Sequence, residues 1–163
     1  MSRSSRVAEF EQEVAARVGH VIKRAEQALI GEKSRALRDL GLTVPQYAAL
    51  MALSYSPGMS GAQLARVCLV TPQSMATVLA NLESKRLIER QTSDLHQKVL
   101  VTKLTPTGRA LVKKADTVAR KVEAKLSHAL STDEQKQLRD LLERCITALT
   151  EEEAPRPDRQ DTP

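Results

Sequence analysis

The segment from Thr71 to Thr105, TPQSMATVLANLESKRLIERQTSDLHQKVLVTKLT, constrains this chain most: it reads as a capped helix followed by two short β-rich runs around a polar tip. Thr71 is a good N-cap, and Pro72 falls at the first helical position, where its missing N–H costs nothing. Met75, Val78, Leu79 and Leu82 recur at helical spacing and predict one buried stripe. Projection in steps of about 100° puts Gln73, Thr77, Ala80 and Ser84 on the opposite face, flanked by Ser74, Ala76 and Asn81. That face is short and almost uncharged. A merely solvated helix face is crowded with long charged side chains, whereas a helix that enters a DNA major groove needs short ones to bring its backbone close to base edges.

The neighbouring segments fit the same idea. Ser60 and Gln63 have the spacing of a capping box and open a short helix carrying Leu64, Ala65 and Cys68. Leu69 and Val70 leave room only for a tight turn, so two helices joined this way make a helix-turn-helix. Downstream, Leu87, Ile88 and Arg90 lead into a loop, and Val99 to Leu104 returns as a β-rich run, which makes Thr92 to Lys98 the tip of a hairpin wing. The expected fold is therefore mainly α with a small β-hairpin wing.

Before and after this module the pattern is helical. Val7, Phe10, Val14, Val18, Val21 and Ala25 predict one long N-terminal helix, too polar for a signal peptide or membrane span, that breaks or ends within Gly31–Gly41. Thr43 and Gln46 offer a further capping box. After the wing, Thr105, Pro106 and Gly108 open a helix with a solvated basic face of Lys113, Lys114, Arg120, Lys121 and Lys125. Ser131 and Glu134 start a last helix whose stripe of Leu138, Leu141, Leu142, Cys145, Ile146 and Leu149 has to be covered by the same chain or by a second copy. Residues 151–163 are charged, contain proline and lack apolar bulk, which predicts a disordered tail.

Charge is distributed unevenly. Residues 41–127 hold 12 Lys/Arg against 5 Asp/Glu, and residues 128–163 hold 5 against 9, so the basic excess lies with the module and the helix after it, as suits a polyanionic partner. With one Phe, two Tyr and no Trp, the core has to be aliphatic, and stacking of single-stranded bases on aromatic platforms is disfavoured.

The motifs LTVPQYAALMAL, SGAQLARVCLVTPQSMATVLANLESKRLIER and VTKLTPTGRAL together resemble the MarR-type (multiple antibiotic resistance regulator) transcription factors over nearly the whole chain. The resemblance implies a homodimer built from the first and last helices, 1–40 and 106–150, with a winged helix-turn-helix at 41–105 in each subunit presented to double-stranded DNA. It implies a repressor relieved by a small, often phenolic, ligand held between the dimerisation helices and the reading module. His20, Tyr47 and Met51 are loose candidates for that pocket. Two features, one in the wing and one at the exit of the reading helix, depart from the family pattern. His96 and Lys98 stand where the wing usually carries Asp and Arg, and Arg86 stands where Gly usually ends the reading helix, which costs strain if the backbone there is left-handed.

On these grounds Gln73 is the expected base-edge reader, because its amide can pair bidentately with adenine, with Ser74 and Thr77 as shorter readers or phosphate contacts. Thr71, Ser60 and Gln63 would meet phosphate near helix N-termini, and Lys98, with His96 and Gln97, would be the wing contact. The sequence places no phosphate loop, paired-Cys metal motif or nucleophilic triad together, so no enzyme, metal or cofactor is expected. Cys68 and Cys145 each lie on an apolar stripe, where a lone Cys is usually a small buried hydrophobe rather than a redox sensor, and two cysteines without a secretion signal point to the reducing cytoplasm. A protein-interaction adaptor and a non-specific architectural DNA-binding protein are the rival readings.

Overall fold

Local capping decides where most helices begin. In the computed structural model, which describes residues 3–92 and 100–151, the chain runs α1 (Arg3–Ala15), α2 (Val18–Arg38), α3 (Val44–Tyr55), β1 (Met59–Ser60), α4 (Gly61–Val67), α5 (Pro72–Ser84), β2 (Ile88–Thr92), β3 (Leu100–Leu104), α6 (Pro106–His128) and α7 (Thr132–Thr150). All three capping boxes form: Thr43 with Gln46, Ser60 with Gln63 and Ser131 with Glu134 each exchange side-chain and backbone hydrogen bonds in both directions. Ser131 holds the Glu134 carboxyl below the ordinary range through its backbone and side-chain hydrogen bonds.

The N-terminal reading needs correction. The helical stripe is not continuous: it breaks at Ala16 and Arg17, and α2 then runs through Gly31 without interruption. An interior glycine costs a helix about 1 kcal/mol, which the good helix formers on either side of Gly31 and the burial of Leu37 outweigh. Nothing local disfavours helix at Ala16–Arg17, so that break had no signal in the sequence. The helix does end within Gly31–Gly41, at Arg38, and is closed by Gly41, whose φ of +64° lets its N–H bond to the Arg38 carbonyl while the Leu42 N–H reaches back to Leu37.

The winged helix-turn-helix closes around one aliphatic core. Leu37, Leu50, Leu53, Leu64, Met75, Leu79 and Leu82 are fully buried, and Leu87, Ile88, Leu104 and Val112 seal the side facing the sheet. That sheet has three strands, not the expected two, in the order β1-β3-β2 and antiparallel throughout, with Ile88 opposite Leu104 and Met59 opposite Thr102. The extra strand is two residues long and exists only through its partner, so no periodicity announced it.

Thr105 and Gly108 explain why the LTPTG element follows the wing. The Thr105 hydroxyl donates to the Arg86 carbonyl at 2.8 Å and accepts from the Gly108 N–H at 3.0 Å, while the Thr105 N–H donates to the Leu87 carbonyl at 3.1 Å. Gly108 is pressed so closely onto Leu87 that a Cβ would lie 1.9 Å from its carbonyl oxygen. The start of α6, the return of the wing and the exit of α5 are thereby fastened at one point.

Chain contacts divide between Val122 and Glu123 into two units. In the second, α7 buries none of its residues, and the Gln135 amide ties the turn before it by donating to the Ser127 and Leu130 carbonyls. In the first, Val7 and Phe10 on α1 and Val18 and Val21 on α2 leave the N-terminal stripe exposed. Among the described residues, no helix is long and apolar enough to cross a membrane, and no cluster of three or more His, Cys, Asp or Glu could hold a metal.

Candidate nucleic-acid interface

Helix α5 is aimed by its own amphipathicity. Met75, Leu79 and Leu82 are buried and Val78 packs against the core, which forces Gln73, Thr77, Ala80 and Ser84, with the flanking Ser74, Ala76 and Asn81, to face outward, all of them exposed. The Thr71 hydroxyl oxygen caps the helix by accepting from the Ser74 N–H at 3.1 Å, and its hydrogen goes to the Ser74 hydroxyl at 2.9 Å.

Most polar groups on this face have already committed a donor to the helix itself. Thr77 Oγ1 donates to the Gln73 carbonyl, Asn81 Nδ2 to the Thr77 carbonyl and Ser84 Oγ to the Asn81 carbonyl. The two hydroxyls therefore turn oxygen lone pairs outward and act toward a ligand as acceptors. Gln73 differs: among the described residues its amide makes no hydrogen bond, and it stands exposed on the first turn. A side chain with a donor and an acceptor both unspent matches the N6/N7 pair of an adenine edge.

The two helices of the motif end alike, and neither ending uses glycine. After α4, the Leu69 and Val70 N–H groups bond to the Arg66 and Ala65 carbonyls; after α5, those of Arg86 and Leu87 bond to Glu83 and Leu82. Both are Schellman closures. Leu69 and Arg86 occupy the left-handed position at φ 55°, a geometry that costs a non-glycine residue about 1–2 kcal/mol. The conditional cost foreseen at Arg86 is thus incurred, and Leu69 adds a second that sequence reasoning missed. Leu69 is also 92 % exposed, so burial returns nothing for it. Lys85, the last residue of α5's cap, donates from Nζ to the Gly41 carbonyl at 2.8 Å and ties the exit of α5 to the end of α2.

Ser60 and Gln63 lie at the start of α4, and their reciprocal capping bonds at 2.8 and 3.3 Å use the Ser60 oxygen and the Gln63 carbonyl oxygen, leaving the hydroxyl hydrogen and the amide N–H groups for an anion. His96, Gln97 and Lys98 lie outside the described residues, as does the predicted tail beyond Glu151.

The ligand candidates do not converge. Met51 lines a concavity of about 370 Å³ with Ser54, Tyr55, Arg109, Val112, Lys113 and Asp116. Tyr47 reaches its edge indirectly, donating from its hydroxyl to Asp116 Oδ1 at 3.0 Å, and His20 is not part of the lining. Arg120 takes the other Asp116 oxygen at 2.6 Å, and these hydrogen bonds, Arg120 first and Tyr47 after it, hold the Asp116 carboxyl below its ordinary range against partial desolvation. With Asp116 occupied on both oxygens, Arg109 and Lys113 are the cations left at the rim. Burial pushes the Cys68 thiol up, which disfavours the reactive thiolate.

Comparison with known proteins agrees with this geometry. A sequence profile of the MarR family matches residues 40–98. The HTH-type transcriptional repressor Rv2887 of Mycobacterium tuberculosis is 40% identical over 127 residues, which span 78% of this chain and 91% of that one. The crystal structure of the Mycobacterium tuberculosis MarR family protein Rv2887 in complex with DNA superposes with a TM-score of 0.62 at 38% identity, covering 80% of this chain and 98% of the other. Its complex with p-aminosalicylic acid gives 0.63 at 40% identity, covering 80% and 98%.

Proposed function

The chain belongs to the MarR family, and from that membership, together with the outward face of α5, we infer a DNA-binding transcriptional regulator, not an enzyme, that represses its target and is relieved by a small ligand. The observation that carries the reading is the exposed, uncharged α5 face with the unspent Gln73 amide at its first turn. In the proposed mechanism each reading helix enters a major groove and each wing lies along a neighbouring minor groove. Gln73 reads a base edge, with Ser74 as a shorter reader or phosphate contact and Thr77 as a shorter reader that accepts from a base-edge donor, or a phosphate contact once its hydroxyl hydrogen leaves the Gln73 carbonyl. The free donors of Ser60 and Gln63 meet backbone phosphate, Thr71 does so once its hydroxyl hydrogen turns from Ser74 to the phosphate, and the wing contributes Lys98 with His96 and Gln97.

The acting form is a homodimer in the cytoplasm. Its support is the pair of uncovered apolar stripes, one on α1 and α2 and one on α7, because stripes of this regularity are normally buried. Two half-sites held about one helical turn apart then supply avidity that one module lacks. The ligand we propose is a small aromatic acid. The relative's complex with p-aminosalicylic acid supports the class, and the Met51-lined concavity with Arg109 and Lys113 at its rim offers apolar walls and cations for a carboxylate.

Binding-site selection from a randomised half-site tests the division of labour between helix and wing. Gln73→Ala relaxes the base preference at one position per half-site, at a cost of roughly 1–3 kcal/mol for the preferred base. Lys98→Ala weakens all sequences alike. The reverse pattern, an unchanged preference in Gln73→Ala and an altered one in Lys98→Ala, contradicts the assignment.

A further inference from the structure

Between α5 and the base of the wing lies a polar seam that the fold leaves half-satisfied. Arg90 on β2 sits opposite Thr102 on β3, so their side chains share the sheet face that carries Ile88 and Leu104. The Arg90 Nε and the Thr102 hydroxyl are both buried without a hydrogen-bond partner. The nearest carboxylate is Glu83 on the last turn of α5, whose Oε2 is 3.9 Å from Arg90 Nη1, beyond hydrogen-bonding distance. Elsewhere in the chain ion pairs close fully, Arg17 to Glu13 at 2.7 Å and Arg120 to Asp116 at 2.6 Å. Arg90 therefore has an anchored stem and an unspent fork, with its side chain 30 % exposed.

The location says what that fork can meet. A helix in the major groove and a wing in the adjoining minor groove are separated by one phosphodiester strand, which has to pass along the seam between them. Resting on the DNA reading above, we propose that Arg90 is a backbone contact: Glu83 keeps its guanidinium at the mouth of the seam in the free protein, and a phosphate of that strand takes it over on binding. A guanidinium binds phosphate through two parallel N–H···O bonds, a closer match than the stand-off with Glu83. The other charged pair here, Glu89 and Lys103, is cross-strand matched on the opposite face of the sheet and does not compete.

The test uses the full-length protein and a fluorescent mixed-sequence duplex, with affinity measured by anisotropy across a series of salt concentrations and melting temperatures recorded in parallel. Arg90→Gln flattens the dependence of log K on log salt by about 0.9 for each phosphate that it no longer neutralises. Arg90→Lys keeps the positive charge and so keeps the slope. Glu83→Gln releases the guanidinium and tightens binding without flattening the slope, a readout that stands even if Arg90→Gln does not fold. An Arg90→Gln slope equal to wild type, equal losses in Arg90→Gln and Arg90→Lys, or unchanged affinity in Glu83→Gln overturns the proposed role of Arg90 while leaving the DNA reading intact. A wild-type protein that does not bind the duplex overturns the DNA reading and the role of Arg90 with it.

Discussion

Helix α5 and helix α7 carry apolar stripes of equal regularity and meet opposite fates. Met75, Leu79 and Leu82 on α5 vanish into the chain's own core, whereas Leu138, Leu141, Leu142, Ile146 and Leu149 on α7 all stay exposed, Leu149 to 86 %. The same contrast separates α3 from α1: Leu50 and Leu53 are buried, Val7 and Phe10 are not. A stripe in the sequence states that burial will happen without stating where the cover comes from. The reading module supplies its own cover. The terminal helices leave theirs uncovered, and in the dimer proposed above this asymmetry makes one part of the chain a scaffold for reading and the other a device for pairing.

The contrast breaks most visibly under equivalent truncations. Leu82→Ala removes a fully buried side chain and is expected to cost about 2–5 kcal/mol, read as a lower midpoint in denaturant. Leu142→Ala on α7 is expected to leave the midpoint of the dilute protein within about 0.5 kcal/mol of wild type while raising the concentration at which the dimer dissociates, read by sedimentation. Equal losses of monomer stability would mean that α7 is covered within its own chain.

Two glycines sharpen the same point. Gly108→Ala has to push a Cβ into the Leu87 carbonyl, so we expect a loss of about 3 kcal/mol or more in thermal melts. Gly31→Ala meets nothing within 4 Å in the interior of α2, and should gain up to about 1 kcal/mol. A Gly108→Ala protein that melts with wild type would remove the clamp from the account.

Smaller in size are the left-handed positions. Leu69→Gly and Arg86→Gly each relieve a strained closure and are expected to stabilise by about 1 kcal/mol. A fall in melting temperature would show that the leucine or arginine side chain returns more than its backbone costs.

The least of these effects is a pH dependence. The folded-state pKa of Asp116 is lowered by Arg120 and Tyr47, so its contribution is present above the unfolded carboxylate range and is lost as pH falls through the folded value. Asp116→Asn should therefore flatten stability against pH only on the acid side, below about pH 4. An equal change near neutrality would contradict the assignment.

What the sequence made legible was local. Thr43, Ser60, Thr71 and Ser131 start helices through partners three residues away, and all four caps form. Gln73 could be placed on the outward face from spacing alone, although the reason it stands apart, an amide with nothing committed, needed the hydrogen bonds of its neighbours. Features that depend on distant partners were not legible: β1 exists only against Thr102 and Val101, Lys85 finds Gly41, and Arg90 faces Glu83 across the seam. The end of the helix within Gly31–Gly41 was legible, whereas the break at Ala16 and Arg17 was missed for a related reason. Gly31 carries an intrinsic cost that its surroundings absorb, and Ala16 and Arg17 carry none.

The central claim is that pairing through the exposed terminal stripes sets two readers on one face of DNA. Hydroxyl-radical footprinting over the region upstream of the gene encoding this chain, comparing the wild type with Leu142→Asp/Ile146→Asp, tests it directly. The account predicts two protected patches about one helical turn apart for the wild type, and the loss of both together in the variant at the same protein concentration. An unchanged footprint in the variant, or even protection without discrete patches in the wild type, would contradict it.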